Sequence, residues 1–150
     1  MSEENVALVR AVVEAYREPE LVARLVSGEL DLSWVDPEIE WDASRLDKMV
    51  PDLAGVYHGH EGVRKYWRRW FEAWRDLEFE IEDVRDSGDD VVVLIKNQHQ
   101  SGRHSGIRTD LPPYAQVFTV RDGRLVRWRT FPDQASALRA TDTVDRRSTE

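Results

Sequence analysis

The sequence has no cysteine, so it can form no disulfide, no thiolate metal site and no thiol nucleophile, and a reduced, cytoplasmic setting is the expectation. The N-terminal MSEENVALVR has no basic segment leading into an apolar run, and no stretch approaches the roughly 18 consecutive apolar residues of a membrane span. A membrane partner is therefore not expected. A basic excess is missing as well: 21 Lys and Arg stand against 29 Asp and Glu, a net charge of −8, which repels polyphosphate at long range and argues against nucleic acid. Internal repeats are absent. What is present is a chain of 150 residues, the size of one ordinary domain, with six Trp, four Tyr and four Phe to fill its core.

Val6, Val9, Val13 and Tyr16 recur at spacings of three and four, which predicts an amphipathic helix over 5–17. Pro19 suits a first helical position and Ser27-Gly28 a stop, so a short second helix follows to about Val26. Pro37 to Asp42 alternates apolar with acidic residues and reads as a strand; residues 43–58, with Pro51 and Gly55, read as a loop and candidate lid. From His60 to Arg75 the positions Val63, Trp67, Trp70 and Trp74 form one helical stripe. Arg64, Lys65, Arg68 and Arg69 fall outside it, so they read as a solvated face rather than a nucleic-acid surface.

Past Asp76 the period changes to two. Ser87-Gly88-Asp89, taken as a three-residue turn, pairs Ile81 with Ile95, Phe79 with Asn97, Leu77 with His99 and Glu80 with Lys96, which sets Asn97 and His99 on the apolar face. Asp122-Gly123 signals a second hairpin with a type I′ turn. Counting from it pairs Phe118 with Arg127, Gln116 with Arg129 and Tyr114 with Phe131 on one face, with Val117, Val126 and Trp128 on the other. Asp133 caps a last helix to about Ala140; residues 1–4 and 141–150 are polar, without periodicity, and read as disordered around a domain over 5–140.

Helices, then a strand, a long helix and strands in hairpins make the fold class α+β, with helices packed on a curved antiparallel sheet. The run Gly55-Val56-Tyr57-His58-Gly59-His60-Glu61-Gly62-Val63, and Val117-Phe118-Thr119-Val120-Arg121-Asp122-Gly123-Arg124-Leu125-Val126, resemble the SnoaL-like branch of the nuclear transport factor 2 superfamily. The element order is similar over about residues 3–140. The resemblance implies a conical half-barrel around a mostly apolar pocket, often in a homodimer. It also implies a hydrophobic small-molecule partner and no organic cofactor; members include polyketide cyclases, ketosteroid isomerase, limonene epoxide hydrolase and non-catalytic binders.

By that resemblance Asp42, at the end of the first strand, takes the place of the general base of ketosteroid isomerase, where desolvation would raise its pKa. Strict alternation offers the opposite reading: with Trp41 buried, Asp42 turns outward. Gln116 stands where that enzyme has a protonated aspartate. No tyrosine is matched to the partner position in the first helix, a departure that argues against steroid isomerisation. Gln116 and Arg129 together would hold an oxyanion, and His99 would serve as auxiliary acid or base. The candidate catalytic set is thus Asp42, His99 and Arg129. The candidate ligand-binding set is Tyr16, Tyr57, Trp67, Trp70, Phe79 and Asn97, with Tyr114, Gln116, Phe118 and Phe131. His58-Gly59-His60-Glu61 with His99 or His104 contains metal-ligand types, but His60-Glu61 reads more simply as a helix start, and no metal is expected. The reading is a small-molecule-binding protein, an isomerase, cyclase or hydrolase by general acid/base chemistry, with a non-catalytic binding or dimerisation module as its alternative.

Overall fold

The computed structural model describes the backbone of residues 2–149 and the side chains of 3–141. The elements run α1 (Ser2–Ala15), α2 (Pro19–Ser27), β1 (Val35–Asp42), two 3₁₀ turns (Ser44–Leu46 and Pro51–Leu53), β2 (Val56–His58), α3 (Gly59–Ala73), β3 (Trp74–Ser87), β4 (Asp90–Gly102), β5 (Arg108–Leu111), β6 (Tyr114–Arg121), β7 (Arg124–Phe131) and α4 (Gln134–Thr149). Residues 2–4 belong to α1 rather than to a disordered end. Of the expectation for 141–150, Thr141 is buried and its hydroxyl donates to the Ala137 carbonyl at 3.1 Å, while the side chains of 142–150, and for Glu150 the backbone, lie outside the described residues. No helix among the described residues is long and apolar enough to cross a membrane.

Local chemistry explains the boundaries. Pro19 opens α2 at a position whose N–H is unpaired in any helix, and Gly28, at φ 87°, closes it in the left-handed region that disfavours a side chain. In α3 the buried residues are Val63, Tyr66, Trp67 and Trp70, one face at spacings of three, four and seven, while Lys65, Arg68 and Arg69 are exposed. Trp74 leaves that stripe, because the chain turns directly into β3 there.

The sheet is one curved, open layer of seven strands in the order β2-β1-β7-β6-β4-β3, with β5 paired to β4. It is mixed rather than wholly antiparallel, since β1 runs parallel to β7; the crossover that parallel neighbours require passes through α3 and the hairpins. The short strands β2 and β5, absent from the pattern reading, have only three and four residues. Ile39, Trp41, Phe79, Val91, Val93, Ile95, Phe118 and Trp128 face α1 and α3 on the inner side, whereas Val92, Leu94, Ala115, Val117 and Phe131 face Ala137 of α4 on the outer side.

Both hairpin registers differ from the sequence expectation by one residue over most of their length. Gly88-Asp89 forms a two-residue turn, with Ser87 opposite Asp90, and extra residues at Glu82 and Lys96 leave only Ile81–Ile95 as expected. Phe79 therefore pairs with Gln98 and Glu78 with His99. In the second hairpin Asp122 (φ 53°) and Gly123 (φ 75°) make the expected turn and Val120 meets Leu125. A bulge at Val126 then sets Thr119 against Arg127, Gln116 against Thr130 and Ala115 against Phe131. Because side chains alternate, each one-residue shift exchanges inside for outside.

Candidate functional site

The inner face encloses two adjoining cavities of about 40 Å³ each, which share Tyr66, Trp70, Gln98, Tyr114, Gln116 and Trp128. Each holds a few waters' worth of space. The first is completed by residues including Val13, Tyr16, Trp67 and Phe79, the second by Leu46, Met49, Val50 and Leu53 from the segment expected as a lid. That segment is pinned, not loose: Leu46, Val50 and Leu53 are buried, and β2 pairs Tyr57 with Trp41.

A directed chain of hydrogen bonds crosses the lining. The Trp128 indole N–H can only donate, and reaches Gln116 Oε1 at 3.4 Å; Gln116 Nε2 donates to the Tyr114 hydroxyl at 3.3 Å. Tyr114 donates to Gln98 Oε1, and Gln98 Nε2 to Gln100 Oε1 at 2.9 Å. Tyr16 stands outside this chain, its buried hydroxyl without a partner. Burial pushes the Tyr16 phenol well up, reinforced by Tyr66 and Tyr114; burial likewise raises Tyr66 and also Tyr114, the latter against the opposing Gln116 hydrogen bond. All three are neutral donors at physiological pH.

Tyr16, Trp67, Trp70, Phe79, Tyr114 and Gln116 thus come together around the cavities. The remaining expected site residues do not. Asp42 lies on the opposite side of β1 from Trp41, which stacks on Trp128 with ring centres 4.3 Å apart. Its carboxylate accepts from the Ser44 N–H (2.9 Å), the Ser44 hydroxyl (2.6 Å) and Arg45 Nη1 (3.2 Å). Burial acts to raise its pKa, but these partners outweigh burial and hold it below the usual carboxylate value. Its charge is taken up by the turn that follows β1.

Arg129 also faces outward, 3.5 Å from Asp90; burial, then Arg127, lowers its pKa. His99 meets Glu78 at 3.0 Å and Asn97 donates to Glu80 at 3.1 Å on the exposed side of the β3–β4 hairpin. Phe131 packs in the outer cluster, while Phe118 and Tyr57 are inner core residues that line neither cavity, with the Tyr57 hydroxyl on the Leu53 carbonyl. His60 Nε2 sits 2.8 Å from the Val35 carbonyl, and among the described residues no three His, Asp or Glu converge as a metal site.

Sequence reasoning missed Gln98, Gln100, Tyr66 and Trp128. Tyr66 was legible, since 63, 66, 67 and 70 is a complete helical face. The glutamines and Trp128 lie beyond the Lys96 and Val126 bulges, for which the alternation pattern has no marker.

The geometry of Asp42 sets a pH dependence. Its pKa is lower in the folded than in the unfolded chain, so its ionised form contributes stability that is fully present above the unfolded value near 3.8 and is lost as pH falls through the folded value. Asp42→Ala is expected to cost about 1–2 kcal/mol at pH 7, the scale of a lost cap. Denaturant titrations should show that gap closing in more acidic solution; a gap that widens there would contradict the assignment.

Residues 9–128 match the family model of the SnoaL-like domain. No curated protein matches the sequence. Among solved structures, an NTF2-like protein of unknown function from Burkholderia pseudomallei is 22% identical with a TM-score of 0.69, over 92% of this chain and 97% of that one. TerC, co-crystallised with polyporic acid, is 20% identical with a TM-score of 0.66, again over 92% of this chain and 97% of its own. A proposed SnoaL-like polyketide cyclase from Jannaschia is 20% identical with a TM-score of 0.63, over 93% and 92%. At these identities the structural matches establish a shared fold. With the family model spanning four-fifths of its length, this chain belongs to the SnoaL-like domain family, and it shares the α+β fold of the NTF2-like protein from Burkholderia pseudomallei.

Proposed function

We propose that the protein binds a planar, apolar, oxygen-bearing small molecule in the inner cavity and its approach, holding the ligand oxygen with neutral donors rather than transferring a proton through a carboxylate or imidazole. One observation carries this reading: the unpartnered, fully buried Tyr16 hydroxyl, in an aromatic lining that among the described residues contains no Asp, Glu or His. A buried hydroxyl without a partner carries a desolvation cost that a ligand carbonyl would relieve. The aromatic walls of Trp67, Trp70 and Trp128 favour a flat ring system. An isomerase, cyclase or hydrolase reading with Asp42 as base lacks support, because that carboxylate is already engaged by Ser44 and Arg45.

The test is quenching of tryptophan fluorescence, together with thermal shift, using naphthol, methyl naphthoate, hydroxynaphthoquinone and coumarin. A probe at a hundred times its dissociation constant should add about 2.7 kcal/mol, or about 5–10 °C. Tyr16→Phe is expected to weaken methyl naphthoate about tenfold, the scale of one hydrogen bond, while leaving the free protein at least as stable because no existing bond is lost. Asp42→Asn should leave the same affinity unchanged. Absence of binding by all four probes, or equal binding by Tyr16→Phe, would overturn the reading.

A further inference from the structure

Outside the inner cavity lies a larger opening of about 310 Å³, which shares Tyr16, Trp67, Trp70 and Leu77 with it. Three arginines line this vestibule, Arg17, Arg75 and Arg103, against a single acidic lining residue, Asp76. In a chain with net charge −8 that is a local inversion of sign. The three come from separate places, the α1–α2 turn, the first residues of β3 and the β4–β5 connection.

Two of these side chains are held in place by the backbone and by aromatic rings. Arg17 Nη1 donates to the Phe79 carbonyl at 2.8 Å, its guanidinium lies 4.1 Å from the Phe79 ring centre, and its Nε pairs with Glu14 at 2.7 Å. Arg103 Nε donates to the Phe71 carbonyl, its guanidinium is 5.0 Å from the Phe71 ring centre, and its main-chain N–H reaches the Ala73 carbonyl at 2.9 Å. Arg75 is looser, with Nη1 3.9 Å from Asp76. After these contacts the Nη2 groups of Arg17 and Arg103 have no hydrogen-bond partner among the described residues. Glu14 and Asp76 offset part of the charge, so the rim keeps one net positive charge beside apolar lining residues that include Pro19, Val22 and Phe71.

A guanidinium already stacked and anchored loses little freedom when it captures a carboxylate, and its planar donors match that group in pairs. We propose that the vestibule selects an aromatic carboxylic acid: its ring system enters between Trp67, Trp70 and Leu77, and its carboxylate stays at the mouth on Arg17, Arg103 and Arg75. This rests on the cavity-binding reading above and adds the charge and orientation of the ligand. The ring end is directed toward the Tyr16 hydroxyl, which suits an acid bearing a second, neutral oxygen.

The experiment compares naphthoate with methyl naphthoate and naphthylmethylamine on the full chain by fluorescence titration. Naphthoate is expected to bind at least about tenfold tighter than its ester, the amine more weakly than either, and the preference should shrink as salt rises. In the double variant Arg17→Gln/Arg103→Gln the preference should vanish with ester affinity kept within about twofold. Arg75→Gln, whose one ion pair is distant, should reduce the preference without disturbing the fold and serves if the double variant is unstable. Naphthoate binding no tighter than the ester, or a preference that survives these substitutions, overturns the carboxylate assignment while leaving cavity binding intact. Failure of both naphthoate and ester to bind overturns the two readings together.

Discussion

Trp41→Ala is expected to lower the unfolding free energy by about 3–5 kcal/mol, and with it the melting temperature by about 6–20 °C. Trp41 is 3% exposed, stacks on Trp128 at 4.3 Å, and lies 5.8 Å from the Tyr66 ring centre, so its removal opens a void between sheet and α3 that neighbours anchored on both sides cannot fill. Its indole N–H has no partner, so the loss comes from packing rather than from a hydrogen bond. Trp41→Phe, which keeps an aromatic ring there, should therefore cost clearly less. Equilibrium denaturation of the two variants checks this, and a loss below about 1 kcal/mol for the alanine would be incompatible with so central a position.

Gly62→Ala should destabilise by about 1–3 kcal/mol, opposite to the gain of up to about 1 kcal/mol expected for alanine over glycine within a helix. The added Cβ would lie 2.9 Å from the Tyr57 carbonyl carbon and 3.1 Å from its Cβ. Tyr57 has no freedom to retreat, because it pairs with Trp41 in the β1–β2 ladder and its hydroxyl is bonded to Leu53. Gly62 is thus the point of closest approach that lets α3 cross β2 and bring its tryptophans over the sheet. A variant as stable as the parent in denaturant would show that β2 can yield.

These two positions differ in how far the sequence announced them. Trp41 follows from the alternation of Ile39-Glu40-Trp41-Asp42, which also predicts that a buried Trp41 turns Asp42 away from the interior. Gly62 gives no such sign: within a helical run it reads as a weak point, and only the proximity of Tyr57, five residues earlier in sequence, explains it.

The same division holds for the candidate site. Tyr16, Trp67 and Trp70 were recoverable because helical periodicity is continuous, and each was on the predicted face. His99, Asn97, Arg129 and Phe131 were assigned inward by counting from turns, an operation that carries any single extra residue through the rest of the strand. The two-residue Gly88-Asp89 turn and the bulges at Glu82, Lys96 and Val126 supplied those extra residues. They moved Gln98, Gln100 and Trp128 to the inside and expelled the histidine and the arginine, replacing an acid/base constellation with a neutral hydrogen-bonded lining.

By itself the sequence determined the α+β class, the three leading helices, the two hairpins and the aromatic inner face, because these depend on local period and turn chemistry. Tertiary structure decided the parallel β1–β7 pairing, the strand registers past each bulge, the capture of Asp42 by Ser44 and Arg45, and the meeting of Arg17, Arg75 and Arg103 at the mouth. Those features join residues far apart in the chain or turn on a one-residue shift, and sheet alternation converts such a shift into the difference between lining a cavity and facing solvent.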